Sequence, residues 1–391
     1  MPAAGPPLVF RTHARAYGRL AATPGKNAEH PQPMKSVPAP ARPRRGIGAL
    51  AAGLLLLPLL AACGDDHLAR YPQTTYAPKT EMAQIQIDLF NLTLYLGVAV
   101  GLLTFALLGY IMWKFRYHPE APEPQQIHGN TTLEVAWTLF PALIVAVIAV
   151  FTVEAIFATQ PEPPANALTV RVIGKQWWWE FQYPVNGGRD TIITANEIHV
   201  PVNQPVQLLL ETDNVLHSFW VPAMGGKRDL ITNRVNRLIF TPTEPGVYLG
   251  QCAEFCGDSH ALMKMRLIAH TPQGFQAWLA NEAQPALKTA DTTSAVAVGE
   301  KLVTQGVCAG CHVIKGTPMV GRQGPDLTHF GRRRTLAAGI LDNNAENLAA
   351  WIRNAPAMKP GSKMPQLGGD VQNALSEDQI QYIVAYLQSL Q

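Results

Sequence analysis

Hydrophobic and polar positions change their period twice along this chain. Residues 89–113 and 135–153 contain no charged side chain, and each run approaches or exceeds the roughly 20 apolar residues that span a bilayer. They predict a transmembrane hairpin over 80–158, with helices at about 85–113 and 132–157. Pro141 would kink the second helix near its start, where neighbouring groups can satisfy the freed carbonyl. Thr131-Thr132-Leu133-Glu134 reads as the capping box that opens it. After the Pro-rich break at 161–166 the pattern turns to short β-branched or alternating runs at 169–173, 197–200, 206–210, 215–221, 234–240, 247–251 and 264–268. Turn residues such as Asn186-Gly187-Gly188 separate them, so 166–281 is expected to be an all-β sandwich or Greek-key barrel closed by a short helix at 275–281. A polar linker follows at 282–294, then a segment at 295–391 with helical periodicity. In it, Ser376-Glu377-Asp378-Gln379 is a capping-box start, and Ile380, Ile383, Val384, Leu387 and Leu390 form the stripe of a terminal helix.

The N-terminus adds an export signal. Residues 1–33 are Pro/Ala-rich without periodicity and read as a disordered extension, with translation expected to start at Met34. Residues 34–62 then have the parts of a signal peptide: Arg42, Arg44 and Arg45, an apolar core at 47–62, and Leu60-Ala61-Ala62-Cys63, which resembles a bacterial lipobox. The mature chain would begin at a lipidated Cys63; a first membrane helix is the competing reading, for which the core is short. Between the two spans, Lys114-Phe115-Arg116 opens a short loop whose positive charge places it on the cytoplasmic side. Everything after residue 158 then faces outward.

Composition agrees with membrane segments. The 391 residues suffice for two or three domains, and charged residues make up only 15% against roughly 25% in soluble proteins. A net charge of +3, with no basic run interleaved with aromatics, gives no footing for nucleic-acid binding. The five cysteines leave none for an ordinary disulfide: Cys63 ends the lipobox, Cys252 and Cys256 lie in CAEFCGDSHALM, and Cys308 and Cys311 lie in CAGCH.

CAEFCGDSHALM sets Cys252, Cys256, His260 and Met263 within twelve residues, and His217 upstream can fold back onto them. Sulfur with imidazole selects a transition metal. His217, Cys252, Cys256 and His260 could form a tetrahedral zinc site equally well. Copper is favoured by the extra thioether of Met263, by an exported β-sandwich of the kind on which copper proteins occur, and by a neighbouring haem domain. That domain is marked by Cys308-Ala309-Gly310-Cys311-His312, the attachment motif of c-type haem, with thioethers from both cysteines and iron bound by His312. Met364, in Lys363-Met364-Pro365, is the expected sixth ligand in preference to Met358; Met319 is too near His312. Met/His ligation raises the haem potential.

Residues 80–280 resemble subunit II of haem–copper cytochrome c oxidase: a membrane hairpin, an aromatic stretch, then a cupredoxin domain with the binuclear CuA motif C-x3-C-x3-H-x2-M and an upstream His. With the haem motif, the resemblance is to the caa type, whose C-terminus is a cytochrome c domain. The resemblance implies a multidomain chain: transmembrane hairpin, all-β cupredoxin-like sandwich, all-α c-type cytochrome. It implies that Cys252 and Cys256 bridge two coppers, His217 and His260 bind one each, and Met263 and the Glu254 carbonyl are weak outer ligands. It further implies that the Glu254 carboxylate reaches a magnesium ion at the boundary with subunit I. By the same resemblance Trp177, first of Trp177-Trp178-Trp179, is where electrons reach CuA, and Glu134 sits at the mouth of a proton path. Electrons would run from an external donor, such as cytochrome c or a bc-type complex, through haem c and CuA to haem a of subunit I, supporting oxygen reduction and proton pumping. Gly324-Pro325-Asp326-Leu327 resembles the loop whose proline carbonyl orients the haem histidine. Two departures stand out: Asn214 occupies a position commonly Asp, and 230–234 lacks the usual Pro-Gly turn. A CuA-containing nitric-oxide reductase subunit and a non-respiratory copper–haem carrier are the rival readings. A quinol oxidase subunit is disfavoured because that branch lacks these copper ligands.

Overall fold

The computed structural model describes residues 72–391 except Ala121, Pro124, Lys288 and Ala290. The expected N-terminal extension, the signal peptide and lipidation at Cys63 lie outside the described residues.

Two long helices come first, α1 (Glu81–Lys114) and α2 (Thr131–Ala158). Both expose apolar side chains along their length, among them Phe105, Leu102, Leu143 and Phe157. That is the surface a lipid environment accepts and water does not. α2 runs through Pro141. Its cap corrects the sequence reading: Asn130, not Thr131, is the N-cap, its side chain accepting from Leu133 N at 3.2 Å. Asn at this position satisfies an orphan helix donor as well as Thr does, so Glu134 falls one residue beyond the box position and is not needed for capping. α1 is tied to the next domain at its start, where Thr80 caps the helix and donates its hydroxyl to Met224 O at 2.8 Å.

The β domain has ten strands: β1 (Leu168–Lys175), β2 (Trp178–Val185), β3 (Asp190–Ala195), β4 (Glu197–Pro201), β5 (Val206–Thr212), β6 (His217–Trp220), β7 (Arg228–Leu230), β8 (Asn236–Phe240), β9 (Gly246–Cys252) and β10 (Lys264–His270). They form two five-stranded sheets, ordered β3-β2-β1-β5-β8 and β4-β10-β9-β6-β7. Alternate residues point inward from both: Val170, Val172, Phe181, Leu208 and Leu210 from one, Ile198, Phe219, Met265 and Leu267 from the other. This is the period-two pattern of a sandwich. Three strands, β2, β3 and β7, escaped the sequence reading. Asn186-Gly187-Gly188 turns out to be the bend of the β2–β3 hairpin. The closing helix is α3 (Pro272–Glu282).

The last domain contains α4 (Ala295–Gln305), a two-stranded β11 (Thr335–Leu336) and β12 (Leu341–Asp342), α5 (Ala345–Arg353), the one-turn α6 (Ala355–Met358) and α7 (Glu377–Ser389). α7 opens with the expected capping box on Ser376 and Gln379, and its stripe is buried throughout. The segment after α3 is less linker-like than its composition suggested. Ala286 N bonds Lys315 O at 2.9 Å and Lys315 Nζ bonds Ala283 O at 2.6 Å, strapping 283–286 to the terminal domain.

Candidate metal and haem centres

Strand register gathers the sulfur–imidazole cluster. β6 pairs β9 with Phe219 opposite Cys252, so His217, at the head of β6, arrives beside the end of β9. The β9–β10 connection folds back through Cys252 N→Met263 O at 2.9 Å, bringing Cys256, His260 and Met263 onto the same point. Cys252 Sγ stands 3.8 Å from Cys256 Sγ, 3.8 Å from His217 Nδ1 and 3.2 Å from the Glu254 carbonyl oxygen. Cys256 Sγ stands 3.5 Å from His260 Nδ1 and 3.9 Å from Met263 Sδ. All six expected donors therefore converge.

Their arrangement bears on the metal. Donors around one zinc, at bond lengths of about 2.0–2.3 Å, lie no more than about 4 Å apart. His217, Cys252 and Cys256 keep their donor atoms within 4.8 Å of one another, but His260 stands outside that group and adjoins Cys256. One imidazole thus adjoins each thiol of the pair, His217 at Cys252 and His260 at Cys256, an arrangement that fits two metals bridged by sulfur. The thiols are chemically unequal. A hydrogen bond from Cys256, reinforced by His217 and outweighing burial, holds Cys252 well below the ordinary thiol range. Cys256 is pushed up by the same bond and by burial. The pair thus shares a proton that metal would displace. Asn214 does the orienting work expected of an acid: its Oδ1 lies 3.1 Å from His217 Nε2, which turns Nδ1 towards sulfur.

The second centre is a cavity in the terminal domain lined by Cys308, Cys311, His312 and Met364. Both cysteines are free thiols, as thioether attachment requires. His312 Nδ1 donates to Pro325 O at 2.7 Å, leaving Nε2 for iron. Burial lowers the His312 pKa and so favours the neutral imidazole a metal needs. Among the candidate methionines Met364 lines this cavity, while Met319 is buried in the domain core. The residues fit a covalently held haem.

The tryptophan run divides where β2 begins: Trp177 precedes the strand, and Trp178 and Trp179 alternate within it. Trp179 is buried against Phe219 and His217, with ring centroids at 5.9 and 6.1 Å. Trp177 and Trp178 keep partial exposure and line the haem cavity. Trp177 also donates Nε1–H to Cys256 O at 2.9 Å, and Gln176 Nε2 donates to the same oxygen at 2.9 Å. Gln176 was not singled out from sequence, although its place beside Trp177 was a usable signal. Glu134 lies far along the chain from both centres, exposed on the first turn of α2.

A two-helix membrane anchor, a sandwich with a dithiol–imidazole cluster and a haem-attachment domain define a membrane-anchored electron-transfer protein. Three family profiles match in order: the transmembrane domain of cytochrome c oxidase subunit II over 73–155, its periplasmic domain over 185–269, and cytochrome c over 296–391. The chain is 36% identical to cytochrome c oxidase subunit 2 of Alkalihalophilus pseudofirmus, over 87% of this chain and 96% of that one. It is 34% identical to the Bacillus subtilis subunit 2, over 83% and 94%. Among solved structures, the periplasmic domain of subunit II from Bradyrhizobium japonicum is 31% identical, covering 31% of this chain and 96% of that one with a TM-score of 0.29. The chain belongs to the cytochrome c oxidase subunit II family, whose members are subunits of an oxidoreductase complex.

Proposed function

We propose that this chain is the electron-input subunit of a caa-type cytochrome c oxidase in a bacterial inner membrane, with its β and cytochrome domains on the outer face. When bound, haem c and the two coppers supply one-electron redox chemistry, passing electrons from an external donor towards haem a of subunit I. Cys308, Cys311, His312 and Met364 hold the haem; Cys252, Cys256, His217 and His260, with Met263 and the Glu254 carbonyl as weaker donors, hold the coppers. The observation that carries this reading is Trp177, which lines the haem cavity and is hydrogen-bonded to the carbonyl of Cys256. One side chain thus touches both centres.

Subunit I is the partner that the outer end of the cluster fits. Phe255, 76% exposed, and the exposed Val215 and Leu216 surround the copper loops, an apolar patch that invites cover. The Glu254 side chain, next to Phe255 in the chain, is exposed, as a carboxylate shared with a magnesium ion of subunit I would have to be.

The test is metal and haem analysis of the detergent-solubilised full chain. Two coppers and one haem per chain, with a mixed-valence electron-paramagnetic-resonance signal, is the expected result; one zinc and no copper would end the reading. Oxygen rather than nitric oxide consumption by the assembled complex separates it from the reductase alternative. Glu134 is proposed to stand at the mouth of the proton path. Because Asn130 makes the cap, Glu134→Gln should leave helix content unchanged while slowing proton uptake and turnover severalfold in reconstituted vesicles; unchanged turnover would remove the role.

A further inference from the structure

The boundary between the β domain and the cytochrome domain is built from buried polar groups that find their partners across it. Glu197 on β4 is 1% exposed, and its carboxylate accepts from Arg334 N at 3.2 Å, Thr335 N at 2.8 Å and Thr335 Oγ1 at 2.8 Å. Lys359 of the cytochrome domain is 4% exposed and donates Nζ to Trp177 O at 2.6 Å and to Ala337 O at 3.1 Å. Around these run Ser259 Oγ→Pro360 O at 2.5 Å, Lys264 N→Ala338 O at 3.0 Å and Arg266 Nη2→Gly339 O at 3.1 Å. Charge-assisted bonds of this kind are short, directional and roughly twice as strong as neutral ones. Burial draws the Lys359 pKa down to about 7, against the attraction of the Cys256 sulfur.

Trp177 is the residue covered. A methyl group on Gly361 of the cytochrome domain would come within 2.6 Å of the Trp177 ring, and one on Gly257 of the copper loop within 3.0 Å. Both glycines have positive φ, 75° and 110°, a conformation and a closeness that other residues take up only with strain. The indole is held between the two domains, flanked by Gly257 on one side and Gly361 on the other.

We propose that the cytochrome domain acts as a fixed shutter as well as a carrier: latched by Glu197 and Lys359, it closes the Trp177 face of the β domain to external protein donors. Every electron from such a donor must then pass first to this chain's own haem. Domains joined by a linker are expected to move relative to one another unless their interface is strong; here the buried Glu197 and Lys359 contacts oppose that motion. The proposal rests on the electron-relay reading, and it concerns access rather than the relay itself.

Two measurements on the detergent-solubilised full chain test it, comparing wild type with Glu197→Gln, Lys359→Met and the double variant. In hydrogen exchange, segments 335–339 and 359–362 should be protected in wild type and exchange more than an order of magnitude faster in the double variant. In rapid mixing with a reduced soluble cytochrome c, wild-type copper should be reduced only after haem c, at a rate independent of donor concentration. The double variant should add a direct copper phase that rises linearly with donor. Fast exchange at both segments in wild type, or a direct copper phase in wild type, overturns the shutter, and wild type alone decides if the variants do not fold. Exchange reads the latch whatever the metal content, so a chain found without copper would sink the relay reading while leaving this result interpretable.

Discussion

Cys256→Ser is expected to empty the copper centre and abolish electron delivery to the partner subunit. The Cys256 sulfur is the junction of the cluster, within 3.9 Å of Cys252 Sγ, His260 Nδ1 and Met263 Sδ. A serine hydroxyl stays protonated at neutral pH and is a hard donor, so it can neither bridge two soft metals nor give up a proton as the thiol pair does. The fold should survive, because Ser is close to Cys in size and the site lies at the end of the sandwich. A stability change of about 1 kcal/mol is expected. Copper analysis of the purified variant should give less than half the wild-type content with no mixed-valence signal, while haem content is unchanged. A variant that keeps both coppers and its spectrum would mean that Cys256 is not a bridge. Cys252→Ser should behave alike, since His217 and the Glu254 carbonyl gather on that sulfur.

Trp177→Leu is expected to uncouple the two centres while leaving both occupied. Leucine remains apolar but loses the Nε1–H bond to Cys256 O and the ring that fills the space between Gly257 and Gly361. Flash reduction of haem c, followed by the appearance of reduced copper, should show the internal transfer slowed by more than an order of magnitude. Reduction of haem c by its external donor should be unaltered. Trp177→Phe, which keeps a ring and drops the hydrogen bond, should fall between. Equal transfer rates in all three proteins would show that electrons take another path. Lost packing should cost about 2 kcal/mol or less, so unfolding midpoints distinguish a damaged fold from a damaged path.

Most of the architecture was legible because its signals are local. Charge-free runs, the Ser376 capping box and the Cys-x-x-Cys-His motif each lie within one element or one turn, and the structure has them where the sequence put them. The errors arose where two local solutions compete. Asn130 and Thr131 are both good caps, and only the backbone at Asn130 decided between them. β2 was missed because aromatic residues and Pro184 blur its alternation, and β7 because it is three residues long. The stretch after α3 read as a free linker on composition, yet Lys315 holds it down.

By itself the sequence determined the ligand inventory: CAEFCGDSHALM and CAGCH set soft donors at short spacing, and covalent connectivity keeps such donors together in any fold. It also determined the anchor, since an uncharged run of this length has few places to go but lipid. Whether His217 would join the cluster depended on the pairing of β6 with β9, and where His260 would stand depended on the fold-back of the β9–β10 connection. The latch belongs wholly to tertiary structure. Glu197 meets Thr335 across 138 residues and Lys359 meets Trp177 across 182. A carboxylate or an ammonium looks like ordinary solvated surface until the fold removes its water and leaves only protein partners within reach.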